Sequence, residues 1–247
     1  MYAFVCYIHV MKIILASSFN TSEKDEQGNR YAVPMPVDFT SVMKKNIPAQ
    51  GRVVYVANNP NDYEIMDDRG RIIFESLRLS GFGFRDEIIL DNRNRDRARE
   101  IITGADLIML AGGKLECQLE FFHEIGLREL MAGHDGLFMG GSAGAMNLCK
   151  TVLNFPETTD EAAANMPLFL SGLGFFDEII IPHFDGVGYP LDDDGFDPMK
   201  RILTASQGRR FIAFNDDSFI LVRDGNVHYH GEFYVITDTK ILSHDIS

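Results

Sequence analysis

The chain has 247 residues, a formal net charge of -13 and 45% hydrophobic residues. That length can bury a sizeable core without covalent staples, and the acidic balance argues against a nucleic-acid partner, which needs a basic surface. No apolar run is long enough to cross a bilayer, and three cysteines (Cys6, Cys117 and Cys149) are too few and too scattered for a disulfide framework or a zinc site, so each reads as a small buried hydrophobe in a reduced, cytoplasmic protein.

The first ten residues, MYAFVCYIHV, are apolar but lack the basic start of a secretory signal. Met11 then opens MKIILASSF, a good first strand. Residues 1–10 therefore read as an N-terminal extension and 11–247 as one α/β domain; an extra edge strand is the alternative for the first ten. Short runs rich in Ile, Val and Leu recur along the chain: KIILA (12–16), RVVYVA (52–57), EIIL (87–90), DLIML (106–110), GLFMG (136–140), EIIIP (178–182), FIAF (211–214) and SFILV (218–222). Runs of this kind suit strands covered on both faces. Helical patterns lie between many of them, over 62–79, 94–102 and 115–132, the first stopping at Ser80-Gly81. The alternation predicts a mostly parallel, doubly wound sheet. In the tail, Asp224-Gly225 between two strand-like runs predicts an antiparallel C-terminal hairpin. The acidic stretch GYPLDDDGFDP (188–198) mimics a calcium loop, but alignment on Gly195 puts Pro190 and Arg201 at ligand positions, so it reads as a surface loop.

The segment FMGGSAGAM (138–146) holds the pattern G-x-S-x-G as Gly140-Gly141-Ser142-Ala143-Gly144, between a predicted strand and a predicted helix. In that setting a serine is pushed into a strained turn, its hydroxyl clear of the sheet, and small neighbours let the helix start against the strand. Ser142 is thus a candidate nucleophile, with the Ala143 amide aimed at a developing oxyanion. The alternative is a turn where two backbones pass closely. Of seven histidines, His183 alone stands just past a predicted strand, where it would face the same crevice as Ser142. His9, His123, His134, His228, His230 and His244 read as solvated or structural. A base needs a carboxylate to hold its tautomer, and Asp216, Asp217, Asp185, Asp177, Glu178, Glu157 and Asp160 are all candidates that spacing does not separate. A second glycine turn, LAGGKLE (110–116), lacks phosphate-loop spacing; Gly113 offers the other oxyanion amide, or simply a tight turn.

With these residues in view, the chain resembles the dipeptidase E family of serine peptidases, whose relatives include cyanophycinase. The likeness runs from about Met11 to Val235 through ADLIMLAGG, GLREL, GGSAGA, LGFFDEIIIPHFD and FIAFNDDSFILV, in order. It implies a three-layer α/β/α fold and a Ser-His-acid hydrolase, with Ser142 as nucleophile, His183 as general base, and Gly113 and Ala143 as oxyanion donors. Asp216 falls where the family has a glutamate completing the triad. The family's founding activity cleaves dipeptides with an N-terminal aspartate; no basic residue here clearly reads that group, although Lys114 and Arg128 lie near the relevant segments. The implied protein is a cytoplasmic serine peptidase acting on short peptides, with no cofactor, metal, nucleic acid or membrane partner, and with its oligomeric state open. Two rivals stand beside it. An esterase of the α/β-hydrolase kind would take its base from His228, His230 or His244. A non-catalytic binding protein on the same fold would account for the aspartate in place of glutamate.

Overall fold

The structure, a computed structural model, describes residues 11–48, 50–154, 167–185 and 197–243. The first ten residues, most of the acidic stretch 188–198, and Glu157, Asp160 and His244 lie outside the described residues. The chain opens on β1 (Lys12–Ala16), a hairpin of β2 (Ser22–Lys24) and β3 (Arg30–Ala32), and helix α1 (Val37–Asn46). Strand–helix units follow: β4 (Arg52–Val56) with α2 (Tyr63–Leu79), β5 (Asp86–Leu90) with α3 (Ala98–Thr103), and β6 (Leu107–Leu110) with α4 (Leu115–Glu124) and α5 (Leu127–Met131). Next come β7 (Leu137–Gly141), α6 (Ala143–Leu148), the pair β8 (Thr151–Leu153) and β9 (Phe169–Ser171), and β10 (Ile179–Ile181). Helix α7 (Pro198–Ala205) leads into β11 (Arg210–Phe214), β12 (Phe219–Arg223), β13 (Asn226–His230), β14 (Phe233–Thr237) and β15 (Lys240–Ser243).

The apolar runs build a seven-stranded sheet in the order β13-β12-β1-β7-β6-β4-β5. Strands β1, β7, β6, β4 and β5 are parallel, while β12 runs antiparallel to β1 and β13 antiparallel to β12. Because side chains alternate across a strand, each run feeds two cores. Ile13, Leu15, Val54, Val56, Ile108, Leu110 and Phe138 pack with Ile101, Phe121, Phe122, Leu127 and Ala145 from α3 to α6. Ile14, Ala16, Val53, Tyr55, Leu107 and Met109 face the other way, onto Phe39 and Met43 of α1 and Ile73, Phe74 and Leu77 of α2. Helices on both faces of a mostly parallel sheet are the three-layer α/β/α arrangement. The expected tail hairpin is β12–β13, turning at Asp224-Gly225.

Two details differ from the sequence reading. The runs at 178–182 and 211–214 do not join the main sheet; β10 and β11 pair in parallel within a second sheet, ordered β10-β11-β14-β15. One side of it shares the main core through Ile180, Ile212 and Phe214, and the other packs on Ile202 of α7. The pattern over 115–132 is two helices, because Gly126 adopts a left-handed conformation (φ 64°) between α4 and α5. Where α2 begins, Asp62 accepts a hydrogen bond from the Ile65 amide, and at its end Gly81 turns left-handed (φ 85°), which closes the helix at the expected place. Among the described residues no helix is long and apolar enough to cross a membrane. Cys149 is buried, and burial pushes its thiol pKa well up; Cys117 is half-buried rather than a core residue.

Candidate active site

In an open α/β sheet the parallel strands all discharge their chains at one edge, and ligands bind there. Here Ser17 follows β1, Asn58 lies just past β4, the Ala111-Gly112-Gly113 turn follows β6, and Ser142 follows β7. A cleft of about 400 Å³ opens at this edge, lined by Ser17, Phe19, Tyr55, Arg69, Gly112 and Gly141, and by Ser142 and His183.

Ser142 sits at φ 51°, ψ -119°, between the last residue of β7 and the first of α6. A positive φ on a non-glycine residue held between a strand and a helix is a strained elbow. Its amide donates to the Ala16 carbonyl (3.0 Å), and its own carbonyl accepts from the Ala145 and Met146 amides, so the backbone is held from both sides. The surrounding glycines leave little or no room for a side chain. A Cβ on Gly140 would lie 2.5 Å from the Gly144 backbone, and one on Gly112 would lie 3.2 Å from the Ser142 Cβ.

The glycine turn after β6 is equally constrained. Gly113 has φ 140°, and a Cβ there would run into the Asn58 side chain, 2.8 Å from its Cγ. Arg69 Nη1 donates to Asn58 Oδ1 (3.1 Å) and to the Gly112 carbonyl (3.2 Å). In a trans peptide the C=O and the following N–H point opposite ways, so anchoring the Gly112 carbonyl on Arg69 directs the Gly113 N–H away from Arg69. Behind the turn, Gln118 Nε2 donates to the Ala111 carbonyl, and Asn147 Nδ2 donates to Gln118 Oε1 (3.0 Å). These buried amides tie α4 to α6 and couple the two glycine turns.

His183 and Asp216 come from the second sheet. In the parallel pair β10–β11, Ile181 lies opposite Ala213, so residues two and three past those positions emerge side by side. His183 Nδ1 is 2.7 Å from Asp216 Oδ1. A carboxylate only accepts, so this bond puts the proton on Nδ1 and leaves Nε2 free to accept. The shorter aspartate reaches the imidazole, and the departure from glutamate does not break that contact. Among the described residues no hydrogen bond joins Ser142 Oγ to His183; contacts of that kind commonly tighten only around substrate. Ser17 Oγ donates to Asp216 Oδ1 (2.8 Å) and accepts from the His183 amide (2.7 Å).

The other sequence candidates lie elsewhere. Asp217 accepts from Asn20 Nδ2, and Glu178 pairs with Arg210. His134 is buried, bonded to the Ile102 carbonyl (2.7 Å) and the Gly136 amide (2.8 Å). His228 and His230 lie on β13 and do not line the cleft; His230 stacks on Phe219. Lys114 and Arg128 do not line it either. The basic residues that do are Lys24, Arg30 and Arg69. Lys24 and Arg30 stand directly opposite each other on the β2–β3 hairpin, where like charges are unfavourable without an anion between them. Tyr55 adds a phenol whose pKa burial pushes up to about 12, so it stays a neutral hydroxyl at the cleft wall.

The family model of peptidase family S51 matches residues 43–230. Two solved structures resemble the chain over nearly their whole length. One is a candidate peptidase E protein from Listeria monocytogenes EGD-e, 17% identical, with a TM-score of 0.60 over 90% of this chain and 98% of that one. The other is a peptidase from an acI-B1 Actinobacterium, 14% identical, with a TM-score of 0.57 over 96% and 98%. At these identities the likeness is one of fold. Comparison with curated proteins gives no match.

Proposed function

The chain belongs to peptidase family S51, a family of serine peptidases, and on that premise we propose that it hydrolyses short peptides, as a dipeptidase or other exopeptidase, through Ser142, His183 and Asp216. The observation that carries this reading is a serine in a strained elbow sharing one cleft with a histidine whose Nδ1 is engaged by a carboxylate. Ser142 Oγ attacks the scissile carbonyl carbon while His183 Nε2 takes its proton. Negative charge gathers on the carbonyl oxygen, where the amides of Gly113 and Ala143 donate to it. The resulting imidazolium, stabilised by Asp216, protonates the leaving amine, and the C–N bond breaks to give an acyl-serine. Water, deprotonated by His183, then releases the acid.

An active-site-directed fluorophosphonate tests the centre of this reading. Wild-type protein should take up one equivalent of probe, located on Ser142 by peptide mapping. Folded protein that stays unlabelled and leaves a panel of dipeptides intact would reject it.

The cleft's cations bear on selectivity. The protein carries a large acidic excess, yet Lys24, Arg30 and Arg69 line the cleft beside a single acid among the described residues, Glu23, which accepts from the Tyr31 hydroxyl. We propose that the hairpin pair Lys24 and Arg30 favours peptides carrying an additional carboxylate, such as an N-terminal aspartate. Replacing both with glutamine should raise KM for an acidic dipeptide about three- to tenfold at low salt, with kcat little changed, and the difference should shrink in high salt, as expected for exposed charges. Equal KM values for acidic and neutral dipeptides in the parent protein would remove the hairpin from specificity.

A further inference from the structure

We infer that Ser17 is a positioning residue: its hydroxyl sets the relation between His183 and Asp216, and turnover depends on it. The inference rests on the reading that His183 is the base. Ser17 is completely buried at the end of β1. Its Oγ accepts from the His183 backbone N–H at 2.7 Å, so its own hydrogen is available for Asp216 Oδ1 at 2.8 Å. A carboxylate oxygen cannot donate, so the direction of both bonds is settled by chemistry. Oδ1 thereby receives two donors, the Ser17 hydroxyl and His183 Nδ1–H.

Neither partner is held by burial. The side chains of His183 and Asp216 are 44% and 53% exposed, and a pair this wet is free to swing apart. His183 also sits at φ 56°, an uncommon backbone state for a residue with a side chain. Bonding of its amide to Ser17 holds the backbone in that state. One buried hydroxyl thus fixes the main chain of the base and the side chain of the acid. Ser17 is itself fixed, because its amide donates to the Ser218 carbonyl (3.2 Å) across the β1–β12 pair. The preceding residue, Ala16, holds the Ser142 amide. The end of β1 is therefore the common mount for all three side chains, although the sheets that deliver them are different.

The test pairs kinetics with a readout that needs no substrate. Ser17→Ala removes one oxygen from a buried site. With the fold checked by circular dichroism, its kcat should fall about ten- to a hundredfold while KM stays within threefold, and Ser17→Thr, which restores the hydroxyl, should recover most of the loss. In an Asp216→Asn background Ser17→Ala should cost less than threefold more, because the group it orients is already impaired. Independently, ring ¹⁵N shifts of His183, at a pH where the imidazole is neutral, should report the Nδ1–H tautomer in the parent. In Ser17→Ala they should shift toward Nε2–H. An unchanged tautomer, or equal losses in both backgrounds, would overturn the inference. The tautomer measurement stands even if peptide hydrolysis is not the reaction, so failure of the one reading is distinguishable from failure of the other.

Discussion

On the proposed triad, Ser142→Ala is expected to lower kcat by roughly ten-thousand- to a million-fold while leaving the protein folded, because members of such a triad act as a unit and removal of the nucleophile would forfeit the acyl route entirely. His183→Ala should come close to the same loss. Asp216→Asn should lose less, since the carboxylate orients and stabilises the base rather than touching the reacting carbon. Stability should move the opposite way. The serine is held at φ 51°, ψ -119°, a conformation that costs a residue with a Cβ about 1–3 kcal/mol. Ser142→Gly relieves that strain, so this variant should be inactive yet melt above the parent. The two measurements together separate a functional elbow from a merely tight turn. If Ser142→Ala kept more than a hundredth of the parent turnover, the nucleophile would be elsewhere. If Ser142→Gly were destabilised by more than the roughly 0.5–1 kcal/mol that a glycine costs through unfolded-chain entropy, the elbow would carry no stored strain.

Much of this arrangement is legible in the residues because burial on both faces leaves a plain trace. IILA, VVYV, LIML and LFMG are unbroken apolar runs since each alternate residue feeds a different helical layer. The elbow is legible for a related reason: only glycine and alanine fit where a helix begins against a strand, so steric need is written directly as residue type. His183 could be singled out by its place after EIIIP. Spacing alone could not separate Asp216 from its neighbours, and only the family resemblance pointed to it, because the choice depends on the parallel register of β10 with β11, which no local pattern encodes. Ser17 was invisible for the same reason. It lies 199 positions from Asp216 and meets it only because β12 folds back on β1. The β2–β3 hairpin, which brings Lys24 and Arg30 to the cleft, has exposed strands and so no apolar alternation to reveal it. Its turn did leave a signal: Asp25 accepts from the Gln27 and Asn29 amides, and Gly28 follows at φ 83°. An aspartate three residues before a glycine, between polar segments, was the cue that could have found it.

Gly144→Ala should be among the most damaging conservative changes in the described residues outside the proposed triad. A Cβ at Gly144 would meet the carbonyl oxygen of Leu110 and lie 2.8 Å from that of Ala111, and both belong to the backbone at the end of β6. Neither atom can rotate out of the way. Helix α6 would have to lift off the sheet, dragging Ser142 with it and loosening the Gln118–Asn147 tie that couples the two glycine turns. Overpacking of this kind costs about 3 kcal/mol. For a chain of this length that is a fall in melting midpoint of about 6–12 °C. Gly140→Ala meets the Gly144 backbone at 2.5 Å from the other side and should behave alike. Gly141→Ala provides the contrast: the three atoms nearest its Cβ all belong to the ring of Phe19, the closest at 2.8 Å, and a ring can turn. The expected order of midpoints is therefore parent, then Gly141→Ala, then Gly140→Ala and Gly144→Ala together at the bottom, with peptide hydrolysis lost in the last two. A Gly144→Ala protein melting within 2 °C of the parent would mean that β6 and α6 are not in backbone contact. The close approach on which the elbow depends would then not exist.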